Sequence, residues 1–144
     1  MSELPLRLLC HCGTLRQAAR AITSLYDAQL AKHGIRITQY TILATLGRAE
    51  GVSTSQLADD LLMDQTTLSR TLATLRTKGL VEADVGDDLR MRFWSLTPNG
   101  SELLRACESD WRAAQDELYR RAGKRHVKAL DAQIYDLASK LIED

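Results

Sequence analysis

The chain is 144 residues long, enough for one domain that buries a real core without disulfides or metals, and its 44% apolar and 26% charged residues are ordinary globular usage. Nineteen basic residues balance nineteen acidic ones, which excludes a broadly basic nucleic-acid binder and confines any anion-binding surface to a local patch. Cysteines at 10, 12 and 107 form neither a disulfide framework nor a repeated CxxC pair, and no apolar run approaches the roughly 20 residues of a membrane span, so structural zinc and membrane insertion are not expected.

The opening "MSELPLRLLCHC" lacks the charged start, long apolar centre and cleavage site of a signal peptide, which makes the cytoplasm the expected compartment. Leu15, Ala18, Ile22, Leu25, Tyr26 and Gln29 recur at helical spacing through residues 13–32, with Gly34 as a stop. A second, short helix is expected from Thr38 as N-cap through Tyr40, Leu43 and Leu46. In "GVSTSQLADDLL", Ser53 and Gln56 form a capping-box pattern ahead of a two-turn helix whose apolar face is Leu57, Ala58, Leu61 and Leu62.

Asp64 caps the next helix, Gln65 to Lys78, which sets Leu68, Leu72 and Leu75 on one side and ends where Gly79 supplies a left-handed residue. After Gly79 the period changes: "LVEADV" and "MRFWSLT", parted by the turn formers of "GDDLR", predict a two-stranded hairpin. Thr97 as N-cap and Pro98 at the first helical position start a long helix striped by Leu103, Leu104, Cys107, Trp111, Ala114 and Leu118, which Gly123 stops. A last helix carries Val127, Leu130, Ile134, Leu137 and Leu141 in a heptad-like seam.

Three short helices followed by a hairpin is the order of a winged helix-turn-helix, whose second turn helix enters the DNA major groove. The fold class expected is therefore mostly α with a small β-hairpin. In the helix from Gln65 the leucines hold the core, while Gln65, Thr66, Thr67, Ser69 and Arg70 offer short donors and acceptors that are poor choices for a merely solvated helix. Gln pairs with adenine, Arg with guanine, and a Thr methyl meets a thymine methyl, which are open roles for these side chains. Residues 65 to 81 carry Arg70, Arg76 and Lys78 and no acid, and the helix start with its unpaired N–H groups suits phosphate. Against this, Asp84, Asp87 and Asp88 crowd the hairpin and oppose phosphate approach.

Four motifs in chain order, "LSR", "KGLVE", a D-x-R in the turn and "LTPNG", together with the upstream "GIRITQYTILATL", resemble the MarR family of bacterial transcription regulators. The resemblance implies a homodimer on a palindromic operator, with residues 1–34 and 98–144 forming a helical dimerisation region and 35–97 a winged helix-turn-helix DNA-binding domain. It implies recognition helices about one DNA turn, near 34 Å, apart. It also gives Asp88 and Arg90 roles as the wing-tip pair, the arginine entering the minor groove and the aspartate holding it.

The cysteines in "LLCHCGTLRQ" resemble the peroxide-sensing branch of the same family, Cys12 falling at the matching position with Tyr26 fourteen residues on, while Arg16 and Ile37 replace two further tyrosines. Arg16 or His11 would lower a thiol pKa, at Cys12 or at Cys10. Core packing accounts for Cys107, and helix-end contacts for His33 and His126. The resulting expectation is a DNA-binding regulator, a repressor, that answers a small-molecule effector or an oxidant and needs no cofactor or metal. The alternatives are a thiol-based sensor working through Cys12 and a winged-helix protein-interaction module without DNA. An enzyme is not expected, since no Gly-rich phosphate loop, HExxH or G-x-S-x-G occurs.

Overall fold

The computed structural model describes residues 4–142, so the outermost residues of the expected helical region, 1–3 and 143–144, lie outside it. The elements run α1 (His11–Leu30), a 3₁₀ turn (Ala31–His33), α2 (Ile37–Leu46), β1 (Val52–Ser53), α3 (Thr54–Leu61), α4 (Gln65–Thr77), β2 (Val81–Val85), β3 (Arg92–Leu96), α5 (Pro98–Ala122) and α6 (Lys124–Ile142). This is a mostly helical winged fold with one small antiparallel sheet. By compactness the chain divides into one unit from Leu30 to Ser109 and another made of α1 up to Gln29 with the residues from Asp110 onward. No described helix is long and apolar enough to cross a membrane.

The Leu30–Ser109 unit is built on a leucine core. Leu57, Leu68, Leu72 and Leu75 are fully buried and cluster with Ile42, Leu43, Val81, Trp94 and Cys107. Each such side chain contributes roughly 1.5–3 kcal/mol on leaving water, which outweighs the modest helix propensity of the threonines and serine on α4. Local signals set the element ends. The Ser53 hydroxyl accepts the Gln56 N–H at 3.1 Å, and the Asp64 carboxylate accepts the Thr67 N–H at 3.0 Å. At the far end of α4, Gly79 takes φ +74°, a conformation that would strain a residue with a Cβ.

The start of α5 is locked onto the end of α4. Thr97 caps the helix by accepting the Gly100 N–H at 3.0 Å while its hydroxyl donates to the Gly79 carbonyl at 2.6 Å. A Cβ on Gly100 would stand 2.0 Å from the Leu80 carbonyl oxygen, so only glycine lets these two segments meet.

Three local expectations are corrected. The wing is three-stranded rather than a plain hairpin: Val52 and Ser53 pair with Trp94 and Phe93, giving the order β1-β3-β2. Two residues are too short to show a period. Helix α2 begins at Ile37, not after Thr38, because the Gln39 side chain accepts the Arg36 N–H at 3.1 Å and sets the start two residues earlier. Leu62 leaves the apolar face of α3 and lies exposed, since the chain turns left-handed there at φ 50°.

The second unit pairs α1 with α5, where Tyr26 is buried and donates its hydroxyl to the Gln115 side-chain oxygen. Its other apolar side chains are far less covered. Leu15 and Ile22 on α1 are exposed, and α6 has no buried residue among those described: Leu130, Ile134 and Leu137 are each more than 40% exposed.

Candidate nucleic-acid interface

The outward face of α4 is free of internal ties where it matters most. The side chains of Gln65, Thr66, Ser69 and Arg70 are all exposed, and among the described residues none of them makes a hydrogen bond. Thr67 differs, because its hydroxyl donates to the Asp64 carboxylate at 3.2 Å and completes the cap. Further along, Thr71, Thr74 and Thr77 turn their hydroxyls back to the carbonyls of Thr67, Arg70 and Ala73, which satisfies the polar group within the helix.

The Asp64 carboxylate occupies the positive end of α4 that the sequence suggests for a phosphate. It takes one of the free N–H groups and brings a negative charge to the same place. Any phosphate approaching this surface would therefore have to be met by side chains. Two recesses supply them. One, of about 160 Å³, is lined by Ser53, Thr54, Ser55, Gln65 and Arg90 to Arg92. The other, of about 360 Å³, lies between α4 and the sheet and is lined by Thr54, Ser69, Ala73, Arg76, Thr77, Arg92 and Trp94.

Arg92 borders both recesses, and sequence reasoning missed it. The register explains its position: Arg92, Trp94 and Leu96 alternate onto one face of β3, opposite Val85, Ala83 and Val81 of β2. Toward Leu96 that face is core, and at Arg92 it has run out past the core edge. An arginine in phase with Trp and Leu in "RFWSL" is the signal that was available. The hydroxyl of Thr54 accepts the Trp94 indole N–H at 2.9 Å, fixing the floor between the two recesses.

At the wing tip, Met91 N–H bonds the Asp88 carbonyl at 2.9 Å, closing a turn whose corners are Leu89 and Arg90. The Asp88 carboxylate accepts the Arg90 N–H at 3.0 Å and stands 3.7 Å from the Arg90 Nε. The arginine side chain is otherwise in the open, 94% exposed. Thus the structure gathers Gln65, Ser69, Arg76 and Arg90 around Arg92, with Thr66 and Arg70 on the exposed face of the same helix.

The cysteine region is separate. Cys10 and Cys12 are both exposed at the start of α1. Cys10 precedes the first helical residue, and hydrogen bonds from the backbone N–H groups of Gly13 and Cys12 push its thiol below the ordinary range. Tyr26 lies fourteen residues along the same helix from Cys12, about 21 Å at the α-helical rise, so the two are not brought together within this chain. Arg16, one turn beyond Cys12, is exposed. Among the described residues no three His, Cys, Asp or Glu side chains converge as a metal site.

A family model described as the MarR family matches residues 33–90, which span the end of the 3₁₀ turn through the wing tip. The chain is 32% identical over 111 residues to the HTH-type transcriptional regulator PetP of Rhodobacter capsulatus, covering 76% of this chain and 67% of that protein. Among solved structures, the M. tuberculosis transcriptional regulator MosR in complex with DNA superposes with a TM-score of 0.80 at 31% identity, covering 93% of this chain and 99% of that one. A cysteine-to-serine mutant of E. coli MarR complexed with operator DNA shares the fold at a TM-score of 0.77 and 22% identity, covering 90% of this chain and 91% of that one.

Proposed function

This chain belongs to the MarR family of DNA-binding transcription regulators, and from that premise we propose a cytoplasmic homodimeric repressor that grips a palindromic operator and releases it on meeting a small molecule or an oxidant. The observation that carries the DNA reading is the untethered polar front of α4, flanked by Arg76, Arg90 and Arg92 and anchored from behind by Leu68, Leu72 and Leu75. Gln65, Thr66, Ser69 and Arg70 meet base edges in the major groove, Thr67 serves the helix cap and stays exposed on the same face, and Arg90 enters the minor groove beside Asp88. The apolar seam left open on α6, Leu130, Ile134 and Leu137, supports pairing with a second copy.

The test is a mobility shift on a duplex that the full chain selects from a randomised library, repeated across salt concentrations. Affinity falls steeply as salt rises, and Arg90→Ala weakens binding broadly across sequences. Salt-independent binding, or none to any duplex, would return the winged unit to protein interaction.

A thiol-based signal is the second reading, favoured by the environment of Cys10. Its thiol sits where the helix N–H groups stabilise the anion, which sets Cys10 beside Cys12 as a reactive candidate. Cys10→Ser should abolish a peroxide-induced loss of DNA binding, with Cys12→Ser tested beside it. If the double variant still loses DNA binding with peroxide, neither thiol is the sensor; if peroxide leaves the parent's DNA binding unchanged, the effector is a ligand and not an oxidant.

A further inference from the structure

The wing tip carries two exposed corner residues, and only one has a role in the DNA reading. Leu89 is 83% exposed beside Arg90. Turn corners favour Gly, Pro, Asn and Asp for reasons of backbone geometry and solvation, and a leucine there gains nothing from folding, because almost none of its surface is covered. A lone exposed leucine is ordinary on a protein surface. This one shares a closed two-residue tip with the arginine that faces DNA.

The tip is also held firmly from below. Asp88 fixes the turn through both its carbonyl and its carboxylate. At the base the Phe93 ring lies so close over Gly86 that a Cβ there would come within 2.6 Å of it. A braced turn delivers its corner side chains together, so whatever groove receives Arg90 receives Leu89.

We propose that Leu89 is an apolar wedge that reads the minor groove beneath the wing, excluding G·C pairs and favouring flexible A·T-rich steps; this rests on the DNA-binding reading above. A minor groove about 6 Å wide admits the corner residues of a turn but not the body of the ribbon. Its walls are deoxyribose, which offers apolar contact, and its floor is smooth at A·T pairs, whereas the guanine N2 amino group projects into it. Leucine belongs to the apolar side chains that unstack base steps from this side, and pyrimidine–purine steps yield most readily. Arg90 alone senses groove potential, and Leu89 adds a steric and apolar criterion to it.

The experiment uses the full chain and the duplex it selects, with copies in which the wing-facing pairs are changed to G·C or to inosine·C, which lacks the amino group. The wild type should prefer the A·T duplex over its G·C copy by roughly tenfold and regain most of the loss on inosine·C. Leu89→Ala should bring that ratio to within about twofold while keeping the same thermal midpoint, since the side chain is unburied. A fluorescence measure of end-to-end distance should show a straighter duplex with the variant than with the wild type. If Leu89→Ala keeps the full A·T preference, Arg90 accounts for it and the wedge is wrong. If the variant instead loses affinity for a protein partner and not for DNA, the assignment is equally overturned. Failure of the wild type to select any duplex overturns the DNA reading itself, and the wedge with it.

Discussion

Arg92 shows how much a single residue depends on register. It is exposed, borders both recesses of the interface and lies on the face that carries Trp94 into the core. Arg92→Ala should weaken DNA binding without lowering stability and reduce the slope of log affinity against log salt by about one, measured by titration at several salt concentrations. An unchanged slope would remove it from the phosphate contacts. Glu117 on α5 makes a different residue-scale prediction. Its carboxylate accepts from Arg120 at 2.6 Å and from Arg121 at 2.6 Å, and these hydrogen bonds hold its pKa at about 2. A carboxylate depressed by folding contributes stability that is present above its unfolded value and lost as pH falls toward the folded one. Glu117→Gln should therefore flatten the acid limb of the stability curve between about pH 4.5 and pH 2, read by thermal melts, and leave the slope at neutral pH alone.

At the scale of elements, α4 balances two demands at one end. Asp64 starts the helix and at the same time sets a negative charge at the end proposed to face DNA. Replacing it separates the two effects. Asp64→Ala should cost about 1 kcal/mol of stability, whereas Asp64→Asn keeps a capping oxygen and most of that stability. Both should raise affinity for unselected duplex, because both remove the charge; a drop with Asp64→Asn would place the carboxylate among the groups that hold DNA. The caps were legible in sequence because they are local: Ser53, Asp64 and Thr97 each lie within three residues of the N–H they serve. Arg92 and β1 were not, because both depend on pairing across distance. Val52 finds its partner at Trp94, and no pattern of two residues announces that. Thr38 misled for the opposite reason, a favourable cap residue overruled by a neighbour's side chain serving the Arg36 N–H.

Across the whole molecule, the winged core is covered within the single chain, whereas the apolar side chains of α6 are exposed. The winged unit buries Leu68, Leu72 and Leu75 fully, while α6 leaves its heptad-like seam open. A stable dimer would make the melting temperature rise with protein concentration. Ile134→Lys, which sets a charge in the seam, should yield a monomer by sedimentation with weakened hold on a two-half-site duplex and a winged unit that stays folded. A dimer of unchanged strength would take α6 out of the interface. The carboxylate at the head of α4 has a further effect on how such a protein lives with a chromosome. Random sequence vastly outnumbers any operator, and a regulator that clings to it is sequestered. On the proposed mode of DNA binding, the Asp64 charge would discourage indiscriminate contact with the sugar–phosphate chain and keep the unbound pool large, so that fewer copies per cell would suffice to occupy the right address.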